Sequence, residues 1–282
     1  MDHISKALEK ATAERESIRD WVQPTSGAFD QRKAPTDNLV GKMLDVDRDL
    51  LSKNHILSGP GYEDATIADK YRLLRTRIMQ LMKPRDWTTL GITSAGPQAG
   101  KTLTAINLAI TIARSSDQQV VLIDADLRKP SISEDLGLEA KFGLIDYLSS
   151  EVSLSEVLVS LNSIPKLTIL PGRREAASKV TPELLNSHKM HNMVEAFTNN
   201  DPSTLIIVDL PPVLIGDDVI VQASHLQCML LVVEEGGTDV VELKECADLL
   251  TELNLLGTVL NKSLEKARDF EGYYQIGSDS QT

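Results

Sequence analysis

Short apolar runs alternate with helix-length segments along most of the chain, from residue 66 to about residue 264. The central runs contain few polar residues, which is typical of strands that are covered by helices on both faces of a sheet. The predicted strands are Thr88–Thr93, Val120–Ile123, Leu167–Leu170, Leu205–Val208, Met229–Val233 and Gly257–Leu260. The predicted helices include residues 66–82, 101–114, 182–198 and 238–254. This alternation predicts an α/β fold with a doubly wound, mostly parallel sheet for residues 66–264.

The chain on either side of this domain has a different pattern. Residues 1–22 predict an amphipathic helix, since their apolar positions recur at helical spacings; these are Ile4, Leu8, Ala11, Ile18 and Val22. That helix either packs on its own domain or docks on a partner. Residues 23–65 combine Pro and Gly with polar residues, which is typical of a linker. Residues 265–282 are polar and predict a flexible tail.

Composition and charge narrow the possible functions. The 282 residues carry a formal net charge of -12, which argues against a sequence-independent DNA-binding protein because such proteins need a basic face. Cys228 and Cys246 lack CxxC partners, so we expect both to be reduced. No apolar run approaches the roughly 18–20 residues that span a bilayer, and the N-terminus lacks the apolar core of a secretory signal. We therefore expect a cytoplasmic protein that reaches a membrane only through a partner or a surface contact.

The first chemical motif follows the predicted strand Thr88–Thr93 and opens a predicted helix. It reads Ala-Gly-Pro-Gln-Ala-Gly-Lys-Thr, a P-loop with Ala in place of the first Gly. Small residues let backbone N–H groups surround phosphate oxygens, and the helix points its positive end at them. Lys101 would reach the outer phosphates and Thr102 would bind Mg²⁺; a plain glycine-containing turn is the alternative. The predicted nucleotide contacts here are Ala95, Gly96, Pro97, Gln98, Ala99, Gly100, Lys101, Thr102 and Thr104.

Two further predicted strands end in aspartate. Asp124 closes one strand and is followed by Asp126, and Asp209 closes another at the position of a Walker B carboxylate. Ligands of open α/β sheets bind at the carboxyl ends of strands, where carboxylates can hold hydrated Mg²⁺ or accept a proton. For Asp124 and Asp126 the alternative is a plain acidic loop after a strand, and for Asp209 it is a cap at the end of a strand. The predicted catalytic residues are Lys101, Asp124, Asp126 and Asp209, and the predicted metal ligands are Thr102, Asp124 and Asp209.

In order and spacing, the P-loop, the hhhhDxDxRxP strand end and the hhhDxPP strand end resemble the bacterial tyrosine autokinases. The segments ADKYRLLRTRI, GKTLTAINLAI, DLPPVLIGDD and LLVVEEG are also similar to that family. The resemblance covers residues 66–263 and, more loosely, the opening ISKALEKA. It is strongest with the stand-alone kinases of exopolysaccharide clusters associated with exosortase systems. It implies a kinase that uses ATP and Mg²⁺, phosphorylates its own tyrosines, and regulates exopolysaccharide polymerisation, export and chain length.

The resemblance also implies partners. A family oligomerisation motif, an acid followed by two arginines at three-residue steps, matches Asp69, Arg72 and Arg75, with Asp in place of the usual Glu. These residues share one face of a helix, and a merely solvated charged face is the alternative. The family forms rings of subunits, is activated by a transmembrane chain-length determinant protein and is reversed by a tyrosine phosphatase. We therefore expect peripheral attachment to the inner membrane and no nucleic-acid partner.

Three positions depart from the family or leave its pattern open. The tail lacks a dense tyrosine cluster and has only Tyr273 and Tyr274, which are the predicted phosphate acceptors or else incidental tail residues. Leu210 replaces a common Thr, at a position that is not a metal ligand in the family. Asn261 ends the last strand, which in related P-loop proteins lies near the base, so it either contacts adenine or belongs to a turn. Elsewhere, Tyr71 is a weaker acceptor candidate because it lies among apolar residues.

Two other functions compete with the kinase. The first is a non-kinase ATPase switch like the cell-division-site and plasmid-partitioning ATPases, which carry a signature lysine at the second loop position, here Gly96. The second is a scaffold that binds nucleotide without phosphotransfer. The sparse tyrosines of the tail favour that scaffold, and the intact acids at positions 124, 126 and 209 oppose it.

Overall fold

The described part of the chain contains eight β-strands. They are β1 Lys42–Leu44, β2 Thr89–Ser94, β3 Val120–Asp124, β4 Val159–Leu161, β5 Ile164–Leu170, β6 Leu205–Asp209, β7 Cys228–Glu234 and β8 Leu255–Asn261. They form one sheet in the order β1-β4-β5-β3-β6-β2-β7-β8. Every neighbouring pair is parallel except β4 and β5. The mostly parallel sheet predicted from the sequence is confirmed, and all six predicted strands are present.

The computed structural model describes residues 39, 41–57, 59, 65–115, 117–149, 152–173, 181–216, 218–223, 225–250 and 253–263. The predicted N-terminal helix at residues 1–22 lies outside these residues. So does the predicted tail at 265–282 with Tyr273 and Tyr274. Within the described residues, no helix is long and apolar enough to cross a membrane.

Helices cover both faces of the sheet. They are α1 Arg48–Lys53, α2 Ala65–Met82, α3 Lys101–Ser115, α4 Ile132–Leu136, α5 Leu144–Leu148, α6 Leu154–Val157, α7 Pro182–Leu185, α8 His188–Asn200, α9 Asp218–Ala223 and α10 Val240–Leu249. Alternate residues of the central strands enter two separate apolar cores: Leu122 of β3 packs in the core that includes α2 and α3, and Ile123 packs in the core that includes α5, α8 and α9. Because helices cover both faces, every residue of β2, β3 and β6 is buried.

Part of the segment predicted as a linker belongs to the folded domain. Within residues 23–65, β1 pairs in parallel with β4, and Leu51, Ile56 and Leu57 are buried in the apolar core. The linker prediction is therefore wrong for at least residues 41–57. The strands β1 and β4 have only three residues each, too few for their apolar pattern to be distinguished from that of a loop.

Two of the four predicted helices differ from the structure over the described residues. The segment predicted as one helix at 182–198 forms α7 and α8, because Ser187 caps the start of α8 by accepting a hydrogen bond from Met190 N. In the segment predicted at 238–254, the described residues are helical over α10, which Asp239 caps by accepting a hydrogen bond from Val241 N. The predictions at 66–82 and 101–114 agree with α2 and α3 to within one residue at each end.

Candidate active site

The loop between β2 and α3 has the backbone shape of an anion-binding loop. Gln98 and Gly100 adopt left-handed conformations, with φ of 64° and 91°, and such turns direct successive N–H groups to one side. Only glycine fits at position 100, because a Cβ there would collide with Asn261 Nδ2. The loop ends at Lys101, the first residue of the 15-residue helix α3, so the helix N-terminus adds its positive dipole to the same place.

The ends of three neighbouring strands bring the predicted acids to this loop. In the sheet order β3-β6-β2, Asp124 is the register partner of Asp209, and Asp209 is the partner of Ile92. Asp126 follows β3 by two residues. Lys101 and Asp209 are more than 100 residues apart in the sequence. The fold nevertheless brings residues 101, 124, 126 and 209 to one edge of the sheet.

Lys101 joins two of these carboxylates. Its Nζ lies 2.8 Å from Asp126 Oδ2 and 3.3 Å from Asp209 Oδ1. Burial lowers the pKa of this ammonium, but the nearby charges of Asp209 and Asp126 outweigh burial and raise it overall. Lys101 is therefore a buried cation held by carboxylates, in reach of the phosphate-binding loop.

Thr102 and Asp209 form the second contact of the cluster. Thr102 Oγ1 donates to Asp209 Oδ2 at 2.6 Å. Asp209 is completely buried, and this burial raises the pKa of its carboxyl to about 6 despite the opposing effect of Lys101. The hydroxyl and the carboxylate that would bind Mg²⁺ in a P-loop protein are thus already adjacent.

Asp124 is completely buried, like Asp209, and only one of its two carboxylate oxygens has hydrogen-bond partners. Its Oδ2 accepts hydrogen bonds from Ser131 N and Ile132 N, both at 3.0 Å. Its Oδ1 is buried without a hydrogen-bond partner among the described residues. Burial, and secondarily the charge of Asp209, raise the pKa of Asp124 well above its usual value. A buried oxygen without a donor fits a carboxylate that holds a cation or a cation-bound water.

Lys101, Thr102 and Asp126 border a cleft of about 430 Å³, whereas Asp124 and Asp209 are buried and do not line it. The residues that line it are Pro97, Gln98, Gly100, Lys101, Thr102, Leu103, Asp126, Arg128, Lys129, Ser131, Asp135, Pro211, Pro212 and Ile215. Arg128 is held there by Asp218, with Nε 2.5 Å from Oδ2 and an Nη atom 3.2 Å from Oδ1. Arg128 was not predicted as a site residue, although its place in the DxDxR pattern is a signal for it.

Several predicted nucleotide contacts lie behind the cleft. Ala95, Ala99 and Thr104 are buried and do not line it, and the Thr104 hydroxyl donates to Gly100 O at 2.8 Å. Asn261 Nδ2 donates to Ala99 O at 2.8 Å, so its amide supports the loop backbone. A contact between Asn261 and adenine stays a prediction.

The predicted oligomerisation residues lie on α2. Asp69 and Arg72 are exposed and form an ion pair within the helix, and Arg75 is half-buried beside a surface cleft near the end of α2. The geometry therefore places all three on an accessible helix. Their role in self-association stays a prediction.

The chemistry of the site suits Mg²⁺, although the carboxylates are not arranged as a closed metal site. Among the described residues, no three His, Cys, Asp or Glu side chains are grouped to hold a metal ion. The reason is visible in the cluster: the Lys101 ammonium lies against two of the three acids. The unpartnered Asp124 Oδ1 and the Thr102 hydroxyl are hard oxygen ligands of the kind that Mg²⁺ prefers.

Comparison with known proteins decides between the kinase and its rivals. The tyrosine-protein kinase YwqD of Bacillus subtilis is 32% identical over 213 residues, which make up 73% of this chain and 86% of YwqD. The chain belongs to the bacterial tyrosine-protein kinase family. The kinase domain of the Escherichia coli tyrosine kinase ETK shares the fold, with a TM-score of 0.61 and 30% identity over 72% of this chain and 79% of that domain. The chain is accordingly an ATP-binding P-loop kinase.

A third relative is named for polysaccharide biosynthesis. The succinoglycan biosynthesis transport protein ExoP of Rhizobium meliloti is 30% identical over 215 residues. Those residues are 74% of this chain but only 27% of ExoP. No protein-family model matches the chain.

Proposed function

We propose that this tyrosine kinase phosphorylates tyrosines of neighbouring copies of itself, uses ATP with Mg²⁺, and regulates exopolysaccharide polymerisation, export and chain length. The observation that carries the proposal is the contact of Lys101 and Thr102, at the end of the P-loop, with Asp126 and Asp209. This arrangement unites a cation for phosphate, a metal-binding hydroxyl and a carboxylate that can accept a proton.

Thr102, Asp124 and Asp209 would hold the metal ion. Mg²⁺, when bound, neutralises charge that develops on the β- and γ-phosphates during transfer. The N–H groups of residues 96–102 would bind phosphate oxygens at the start of α3. Phosphoryl transfer requires mainly such positioning and charge stabilisation.

Lys101 and Asp126 would change partners during the reaction. Before ATP binds, the Lys101 ammonium lies 2.8 Å from Asp126. Once the phosphates attract Lys101, the Asp126 carboxylate would be released from its ion pair and could contact the tyrosine hydroxyl. It can then take the proton of the tyrosine hydroxyl as that oxygen attacks the γ-phosphorus and the ADP oxygen leaves.

The finer assignments follow from the resemblance. Tyr273 and Tyr274 would be the acceptors, carried by a tail that begins after residue 264 and supplied to a neighbouring subunit. Asp69, Arg72 and Arg75 would join subunits in a ring. A transmembrane chain-length determinant protein would activate the kinase at the inner membrane, and a tyrosine phosphatase would reverse it. The stand-alone kinases of exosortase-associated clusters are the subgroup that we propose, and ExoP's name as a transport protein for succinoglycan supports the polysaccharide role.

A single assay tests the kinase against both rivals. Purified protein is incubated with labelled ATP and Mg²⁺, and phosphotyrosine and free phosphate are measured together, with Lys101→Met as the inactive control. The proposal predicts phosphotyrosine in the wild type. Free phosphate alone would favour an ATPase switch, against which Gly96 already argues because it lacks the signature lysine. Bound nucleotide with neither product, even with an activating partner present, would favour the scaffold.

A further inference from the structure

The cleft of the candidate active site contains an apolar surface that phosphate binding does not explain. Besides the P-loop residues, the cleft is lined by Pro211, Pro212 and Ile215, which follow β6. We call these three residues the apolar wall. Ile215 is 53% exposed, so the fold leaves a large apolar side chain accessible inside the cleft. Accessible apolar surface in a cleft that also carries a few polar groups is typical of ligand recognition.

The apolar wall is held in place before any ligand binds. The hydroxyl of Thr93, which is completely buried, donates to Pro211 O at 2.7 Å. Ile215 N donates to Pro212 O at 3.2 Å and closes a turn, and the two prolines have fixed φ angles. A ligand that lies on such a surface therefore loses little free energy to ordering it.

The end of the apolar wall is supported by an ion pair. A Cβ at Gly216 would lie 3.7 Å from an Nη atom of Arg128, so the chain beyond Ile215 runs close to that guanidinium. Arg128 is held by both carboxylate oxygens of Asp218, whose side chain is only 6% exposed. The turn that carries Ile215 is thus fixed at both of its ends.

The sheet order places the apolar wall beside the proposed proton acceptor. The strand β6, which precedes the wall, and the strand β3, which precedes Asp126, lie on one side of the P-loop strand β2, and β8 lies on the other side. The adenine base is predicted near Asn261, at the end of β8. Asp126 lines the same cleft as the wall. A tyrosine whose hydroxyl reaches Asp126 can therefore lay its ring on the wall.

We propose that the apolar wall binds the aromatic ring of the acceptor tyrosine, supplied by a second copy of this chain, and so selects tyrosine over serine and threonine. The chain belongs to the tyrosine-protein kinase family, so its cleft has to admit a tyrosine side chain next to MgATP. A serine or threonine side chain has no ring to cover Ile215 and would gain nothing from the wall. The inference rests on the proposed function, because it names the residues that hold the acceptor of that reaction.

A two-protein assay tests the proposal. The kinase copy is mixed with MgATP and with a Lys101→Met copy of different mass, which serves only as acceptor, and phosphotyrosine on the acceptor is measured. Because a few methylene groups in an apolar pocket change specificity at least about tenfold, Ile215→Ala in the kinase copy should raise the KM for the acceptor about tenfold. The Kd for MgATP should stay within about twofold of the wild-type value, since the wall would contact only the acceptor.

Two variants serve as controls. Ile215→Leu keeps the apolar surface and should restore a KM within about twofold of the wild-type value. Ile220→Ala on α9 removes an isoleucine that is also exposed, at 43%, but that does not line the cleft. Its KM for the acceptor should equal that of the wild type.

The position of the variant distinguishes a tyrosine-binding surface from a subunit contact. Ile215→Ala placed in the acceptor copy should leave the KM unchanged, and an equal loss from either copy would overturn the inference. An Ile215→Ala kinase with the wild-type KM would overturn it too, and so would one whose main defect is weak MgATP binding, as expected if the base lay on the wall. Absence of phosphotyrosine in the wild-type mixture, with an activating partner present, would instead refute the kinase proposal and this inference with it.

Discussion

The buried carboxyl of Asp209 should destabilise the metal-free protein near neutral pH. Its pKa is raised from 3.8 to about 6, so the folded state binds a proton more tightly than the unfolded state does. Stability is then highest when Asp209 is protonated and falls as the pH rises from about 4 through 6. This difference in pKa between the folded and unfolded states corresponds to about 3 kcal/mol of folding stability, which is lost above pH 6.

Asp209→Asn keeps the shape of the neutral carboxyl and removes the charge. In EDTA and without nucleotide, the variant should equal the wild type near pH 4 and become more stable as the pH rises. Above pH 6 the gain should be up to about 3 kcal/mol, or about 5–10 °C in Tm for a domain of this size. The same variant should bind MgATP poorly, because it lacks a proposed metal ligand.

Differential scanning calorimetry from pH 4 to pH 8 measures this difference, and isothermal titration measures MgATP binding. Asp146→Asn is the matched control, because that buried carboxylate accepts from Gly143 N at 2.9 Å and pairs with Arg173. Because Asp146→Asn removes the charge from these contacts, this variant should have a lower Tm than the wild type. An Asp209→Asn protein that is less stable than the wild type above pH 6 would refute the reasoning, since the charge would then be a net stabiliser.

Three further changes test the remaining parts of the proposal. Lys101→Met should abolish MgATP binding or turnover while the circular dichroism spectrum is unchanged, because the side chain acts as a charge on phosphate; equal activity would remove the P-loop assignment. Arg72→Ala with Arg75→Ala should give a smaller species by light scattering if the wild type self-associates, and an unchanged oligomer would leave that face merely solvated. Tyr273→Phe with Tyr274→Phe should remove most autophosphorylation and leave ATP binding intact; mass spectrometry that finds phosphate on neither wild-type tyrosine, with a working activator present, would discard them as acceptors.

Local patterns predicted the parts of the fold that are buried on both faces. The strands that end at Asp124 and Asp209 are continuous apolar runs, and the P-loop is a contiguous motif. Each of these features can therefore be predicted from one short segment of the sequence. The parallel sheet then requires their carboxyl ends to meet at one edge. For this reason, residues as far apart in the chain as Lys101 and Asp209 could be assigned to one site from local patterns alone.

Two features that local patterns did not predict have a different physical origin, because they concern pairs that are distant in sequence. The strand β1 is stable only because β4 lies beside it, and nothing within its three residues indicates that neighbour. The amide of Asn261 bonds to Ala99, 162 residues earlier, and no local pattern could show that contact.

The electrostatics of the cluster imply that ATP and Mg²⁺ bind together. In the free protein one ammonium, Lys101, offsets much of the charge of Asp126 and Asp209. ATP alone would draw Lys101 toward its phosphates and leave these buried carboxylates facing further negative charge. Mg²⁺ alone would have to compete with Lys101 for the same oxygens. On the proposed function, Lys101 would move to phosphate as the metal took its place among the carboxylates, so each ligand would remove the obstacle to the other and the coupling would be reciprocal.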